Sequence, residues 1–429
     1  MRLLRFARND SQSHNDSQSH NAYKFCSDNK SCYDNKYCCL LAFFWYPIDC
    51  WYPVDKKKMK QKKVVIAMSG GVDSSVAAAF LKEQGYGVIG VTMKLFSLPK
   101  DYCTSEDLRS CCGWQATEDA HRVAISLGIS HYVVDFRDRF DKSVITDFCG
   151  EYSKGRTPNP CIRCNQHIKF DFLMKKLKAF EADYLATGHH ARVEYDTRSE
   201  RYLLKKGKDK KKDQSYFLYP LTQEQLSRTL MPIGNFTKEN VREKAQKLGL
   251  SVAQRHESQE ICFIPDNDYV RFLRQRIPKA FRPGPIVDRE NRVLGQHEGI
   301  AHFTIGQRKG MGIAASQPLY VLSIQSDKNT IVVGSSDQLN EKTLLASQVN
   351  LISKVKIAEP FSVKAKIRYK HQEAKALLTP IDSDHILVEF EKPQRAVTPG
   401  QAVVFYDRNV VIGGGIIYKS GERNLSQTT

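Results

Sequence analysis

The sequence predicts a doubly wound α/β domain built on a parallel sheet, followed by two small β-rich domains. Three observations carry that reading. A short apolar run, Val64 to Met68, leads at once into a Gly/Ser loop and then an amphipathic helix. Strand-type runs alternate with helical patterns as far as Thr187. Beyond about Pro265 the helical period gives way to short β segments punctuated by turns.

The first 61 residues stand outside this pattern. Asn9 to His14 (NDSQSH) is repeated unchanged at Asn15 to His20, and a polar stretch holding Cys26, Cys32, Cys38, Cys39 and Cys50 follows. Those cysteine spacings match no standard zinc pattern. Residues 1–61 therefore read as a disordered extension, or as sequence translated from upstream of the true start, with Met59 as an alternative initiator. Deleting residues 1–58 is expected to leave fold and activity unchanged; an insoluble or inactive protein starting at Met59 would overturn this.

From residue 62 to 264 the chain reads as the catalytic domain. Val64 to Met68 is the first strand, and a helix runs from about Val76 to Gln84, closed by Gly85. Val88 to Met93 is the second strand. Thr117, with Glu118 and Asp119 after it, reads as the N-cap of a helix that Gly128 stops. His131 to Val134 and Tyr184 to Thr187 are further strands. A central β-rich domain is expected over 265–344 and a β-barrel over 345–421, with strands at Leu319 to Ile324, Thr330 to Val333, Val363 to Tyr369, Ile386 to Glu391 and Ala402 to Tyr406.

Charge points to a partner. Lys plus Arg number 65 against 47 Asp plus Glu, a formal net charge of +18, which favours a polyanion such as nucleic acid or an anionic membrane surface. No run of ~18 apolar residues exists to span a bilayer, since Leu40 to Tyr46 is stopped by Pro47. Arg2, Arg5 and Arg8 are followed by polar residues instead of the apolar core of a secretory signal. A cytoplasmic location is expected, where the twelve cysteines serve as metal, redox or catalytic groups instead of a disulfide framework.

The sharpest motif is Ser69-Gly70-Gly71-Val72-Asp73-Ser74-Ser75, between the first strand and the first helix. Its glycines let backbone N–H groups approach a phosphate, its serines add donors, and the helix N-terminus adds a positive dipole end. A Walker A lysine is missing, which suits an enzyme that holds pyrophosphate as a leaving group. The loop resembles the signature of the ATP-pyrophosphatase (PP-loop) superfamily, whose members adenylate an oxygen. That superfamily includes amide- and guanidino-forming ligases as well as tRNA thiolases.

Cysteines choose among these. Gly155 to Asn165 reads GRTPNPCIRCN, and Cys262 lies in Ser258 to Ile264, SQEICFI. Two prolines predict an extended, stiff arm for Cys164. Arg156 and Arg163 beside it would favour the thiolate that nucleophilic or persulfide chemistry needs. Two bland readings stand beside that one. Cys161-x-x-Cys164 is also half a zinc knuckle, and Cys262 between Ile261 and Phe263 also suits a buried small hydrophobe. With Ala186 to His190, Lys212 to Leu218, Thr304 to Gly310 and Thr398 to Gln401, these blocks closely resemble the tRNA-specific 2-thiouridylases, the MnmA family, over roughly Val64 to Ile417.

The resemblance implies an adenine nucleotide α-hydrolase-like catalytic domain that uses ATP and Mg2+. Ala67, Met68, Ser69, Gly70, Gly71, Val72, Asp73, Ser74, Met93 and Gly188 would bind ATP. Cys262 would carry sulfur as a persulfide and Cys164 would act with it, forming a disulfide as 2-thiouridine is made at the wobble position of tRNA. Asn159, Pro160 and Cys161 would lie against the flipped base. His189, Lys212, Asp213, Gln214, Arg368, Tyr369 and Gln401 would contact tRNA, and a cysteine desulfurase or sulfur-relay protein would supply sulfur. Many members carry aspartate where this chain has Cys161, which leaves an acid/base role there open. An iron–sulfur cluster on Cys161, Cys164 and Cys262 is the alternative. A ligase-type enzyme, or a non-catalytic RNA-binding protein with a zinc knuckle, would be the competing function. Cys103, Cys111 and Cys112 receive no role.

Overall fold

A computed structural model describes residues 61–97, 114–255 and 261–421, together with the backbone of residues 4 and 5. The extension's cysteines, Met59, and Cys103, Cys111 and Cys112 lie outside the described residues.

Strands β2 (Lys63–Ala67), β3 (Gly87–Lys94), β4 (Ser130–Asp135), β5 (Tyr184–Ala186) and β8 (Thr229–Leu230) form the parallel sheet, in the order β4-β3-β2-β5-β8. β2 reads as unbroken apolar sequence because both its faces are covered. Val64 and Ile66 pack with helix α1 (Val72–Glu83) and with Val241 and Ala245. Val65 and Ala67 face the second core, with Phe140, Phe148, Ile168 and Phe170. Residues 4 and 5, which the sequence reading leaves outside the fold, form a two-residue strand β1 (Leu4–Arg5) antiparallel to β4 at the sheet edge. Strands in chain order next, β6 (Ala191–Asp196) and β7 (Arg201–Lys206), make a hairpin.

Both predicted helix starts fall too late. α1 begins at Val72, not Val76, because the loop's own serines are helical: the Ser74 and Ser75 hydroxyls donate to the Gly71 carbonyl at 3.1 and 2.9 Å. Helix α2 (Trp114–Ser126) begins before Thr117, so Thr117 is an interior residue and not the cap.

Four strands make the next sheet: β9 (Gly284–Val287), β10 (Val293–His297), β11 (Tyr320–Gln325) and β12 (Thr330–Gly334), in the order β10-β9-β12-β11. They enclose Ile286, Ile300, Phe303, Val321, Ile331 and Val333. Strands β13 (Asn340–Leu351), β14 (Phe361–Lys366), β15 (Ala374–Pro380), β16 (Ile386–Arg395), β17 (Ala402–Asp407) and β18 (Val410–Ser420) follow. They close into a barrel because β13 pairs with both β16 and β18. Inward residues alternate along β14, where Val363 and Ala365 are buried. The strand expected to reach Tyr369 stops at Lys366, where its ladder with β17 ends; beyond it the Arg368 guanidinium donates to the carbonyls of Arg395 and Ala396. The β6–β7 hairpin, within the stretch read as catalytic, joins the barrel sheet through Lys205 opposite Val410. Pairing so distant in sequence leaves no local signal.

Candidate active site

β2 delivers the Gly/Ser loop to the carboxyl edge of the parallel sheet, where ligands of doubly wound folds bind. Gly70 has φ +71°, and a side chain there would strike the Ala116 carbonyl of α2 at 2.2 Å. Gly188, just past β5, lies so close to the loop that a Cβ would sit 2.5 Å from the Ser74 nitrogen. Ser69 N–H donates to the Ser74 hydroxyl at 3.2 Å, so the loop is closed on itself. Underneath, the Met68 carbonyl accepts from the Thr92 hydroxyl at 2.9 Å, and Thr92 is 2.9 Å from His131 Nε2. Burial, with His121 nearby, pushes His131 down to about 4, which keeps its imidazole neutral; because the Thr92 hydroxyl donates to Met68, Nε2 is the donor to Thr92. Met93, on β3, is buried.

Asp73 stands in the first turn of α1 and is held from two sides. Lys238 Nζ lies 2.7 Å from one carboxylate oxygen and His190 Nε2 lies 3.2 Å from the other. Burial pushes the Asp73 pKa up, but the His190 hydrogen bond and the Lys238 charge outweigh it and hold the carboxyl below its ordinary range. Lys238 is 7% exposed and opens the helix Lys238–Lys247, whose cap Thr237 forms a reciprocal capping box with Asn240. Arg255 donates to the Gly70 carbonyl at 2.9 Å and pairs with Asp119 on α2. No sequence motif assigns a role to Lys238, His190 or Arg255. The capping box at Thr237 was visible in sequence, but nothing local says that Lys238 reaches back to Asp73.

The cysteine arm is not extended. Asn159 caps a helical turn, Pro160–Arg163, its side chain accepting from Ile162 N–H at 3.4 Å, and Pro160 takes the first helical position. The helix continues through Cys164–Leu173, so Cys164 rides on a helix. Cys161 is exposed in its first turn, while Cys164 and Cys262 are both half-buried and border the same core cluster. Phe263, next to Cys262, locks into that core against Phe140 and Phe148. The two arginines expected to serve the thiolate each have a carboxylate of their own: Arg156 lies 2.8 Å from Glu151, and Arg163 lies 3.3 Å from Asp147. Among the described residues no group of three or more His, Cys, Asp or Glu side chains could hold a metal ion. The three cysteines therefore do not gather as cluster ligands, and both Asp73 oxygens are already engaged.

Of the residues that the resemblance assigns to RNA, His189 and Asp213 are buried. His189 Nδ1 is 2.8 Å from the Thr187 hydroxyl, and burial, with Lys169 nearby, drives its pKa well below the ordinary value. The Asp213 carboxylate accepts from Gly207 N–H, Ser215 N–H and the Ser215 hydroxyl, at 3.0, 3.1 and 2.9 Å. Gln214 accepts from His190 N–H at 2.9 Å. Arg368, Tyr369 and Gln401 are partly exposed, Tyr369 with its ring 4.4 Å from that of Phe217. Lys212 is partly exposed on the turn that Asp209 organises.

A lysine-free phosphate-type loop at the edge of a parallel sheet, joined to a cysteine helix and two β-domains, defines a nucleotide-binding PP-loop enzyme of the HUP class. Family models agree in order: a tRNA methyl transferase HUP domain over residues 62–266, a tRNA methyl transferase PRC-barrel domain over 270–335 and an aminomethyltransferase beta-barrel domain over 341–417. The tRNA-specific 2-thiouridylase MnmA of Acetivibrio thermocellus is 53% identical over 359 residues, 84% of this chain and 100% of the relative. Those of Clostridium acetobutylicum and Heliobacterium modesticaldum are each 51% identical, over 83% and 86% of this chain and 99% and 95% of their own lengths. The chain belongs to the tRNA-specific 2-thiouridylase family.

Proposed function

We propose that this enzyme makes 2-thiouridine at the wobble position, residue 34, of tRNA, with the lysine, glutamine and glutamate tRNAs as the family's implied substrates. The carrying observation is that Cys164 and Cys262, far apart in sequence, border one core, which also buries Val65 and Ala67 of the strand leading into the ATP loop. The uridine O2 attacks the α-phosphorus of ATP and pyrophosphate leaves, which turns a poor leaving oxygen into AMP. Mg2+ bound with ATP would offset the charge of its phosphates. The terminal sulfur of a Cys262 persulfide attacks C2 and AMP departs. The Cys164 thiolate then attacks the Cys262 sulfur, leaving sulfur on the base and a Cys164–Cys262 disulfide, which a thiol reductant reopens. A cysteine desulfurase or sulfur-relay protein reloads Cys262. No helix of the described residues is long and apolar enough to cross a membrane. Mass analysis of tRNA nucleosides from cells lacking this gene tests the reading: wobble 2-thiouridine should vanish, and its persistence would overturn the proposal.

The +18 charge supports an RNA substrate and predicts its salt response. The logarithm of tRNA affinity should fall linearly with the logarithm of salt concentration, with a slope of about −0.7 to −0.9 per neutralised phosphate. A salt-insensitive affinity would mean that the surplus charge faces elsewhere.

A further inference from the structure

We infer that Gln401 is a positioning residue for the cysteine helix, holding the loop ahead of Cys161 and Cys164 from the barrel side. The inference deepens the thiolation reading and rests on it for its kinetic arm alone. The segment Thr157-Pro158-Asn159-Pro160 has two prolines and so lacks two of its backbone donors, leaving the Asn159 cap as its local hydrogen-bonding anchor. Its geometry is imposed from outside. Thr157 N–H donates to the Pro399 carbonyl at 2.9 Å. The Gln401 amide donates to the Thr157 carbonyl at 2.8 Å and reaches the Pro158 carbonyl at 3.4 Å. Gly400 backs onto the same residue so closely that a Cβ would lie 2.8 Å from the Thr157 nitrogen.

The central β-domain meets the same point. The Thr157 hydroxyl is 3.4 Å from that of Thr304, and a Cβ on Gly306 would lie 2.9 Å from Ala396, just ahead of Thr398 to Gln401. Three blocks that stand apart in sequence thus converge on Thr157, two residues before the Asn159 cap of the cysteine helix. A side chain that only touched RNA would have no reason to spend its amide on these two carbonyls.

Gln401→Glu keeps the shape and removes the donor. In RNA-free protein, iodoacetamide labelling of Cys161 and Cys164, read by peptide mass with buried Cys149 as reference, should change by about 2- to 10-fold, the worth of one hydrogen bond. ATP affinity should stay at the wild-type value. In turnover, kcat for thiolation should fall by about tenfold or more through misplacement, with a smaller change in KM for tRNA. Gly400→Ala, which pushes on Thr157 directly, should give the same labelling change and guards against a folding artefact of one variant. Unchanged labelling in both variants, with KM for tRNA raised and kcat intact, would make Gln401 an RNA contact only and overturn the inference. If the wild-type enzyme made no 2-thiouridine, the function reading would fail while the labelling result would still decide this one.

Discussion

Replacing either Cys164 or Cys262 by serine is expected to abolish 2-thiouridine formation while ATP-dependent adenylation survives. In the proposed mechanism the thiols act after AMP has been installed, and the ATP loop is organised by Ser69, Ser74, Asp73, Lys238 and Arg255. The two variants should differ in one respect. Cys164→Ser should still load sulfur on Cys262, seen as a gain of one sulfur mass that a reductant removes, and Cys262→Ser should not load there. Cys161→Ser separates the alternatives further. A cluster would be discharged by losing any of the three cysteines, and anaerobically purified protein would carry iron. Iron-free protein that thiolates tRNA from a persulfide donor would exclude a required cluster. Normal thiolation by both the Cys164 and Cys262 variants would sink the persulfide mechanism and return an amide-forming ligase to first place.

The second large effect is expected at the Asp73–Lys238 pair. Asp73→Ala should remove tRNA-dependent pyrophosphate release, and ADP with phosphate as products would overturn the adenylation reading altogether. Lys238→Met should do nearly the same, because it strips the loop carboxylate of its cation and leaves a partly buried charge beside His190. Breaking a buried pair in this way costs about 3–5 kcal/mol, and the part-exposed Asp73 side chain places this case near the lower figure. Thermal unfolding and pyrophosphate release measure the two consequences, and a variant with wild-type values for both would show the pair to be incidental. The acid response follows from the lowered Asp73 pKa. Its stabilising contribution is complete above the ordinary carboxylate value of 3.8 and is lost as pH falls through the lower folded value. The Asp73→Asn protein should lack that part of the acid transition.

Several of these features were legible in the residues. The parallel sheet was readable because β2 is apolar on both faces and is followed directly by glycines, serines and a helix. The family was readable because short blocks such as SGGVDSS and GRTPNPCIRC use residue types that few local structures require. The barrel strands were readable from period-two alternation, as along Phe361–Lys366. The start of α1 was set too late because Ser74 and Ser75, which read as loop, lie in the helix with their hydroxyls bonded back to Gly71.

By itself the sequence determined the order of sheet, loop, cysteine segment and β-domains, since local propensity and hydrophobic period act over a few residues; that the cysteine segment is helical came only from the structure. Only the tertiary structure decided which distant groups meet. Lys238 is set against Asp73, Arg255 against Gly70, the β6–β7 hairpin against the barrel, and Gln401 against the loop ahead of the cysteine helix. Each of these contacts joins residues well over a hundred positions apart. Their partners are chosen by the packing of whole domains, and no short stretch of sequence contains that information.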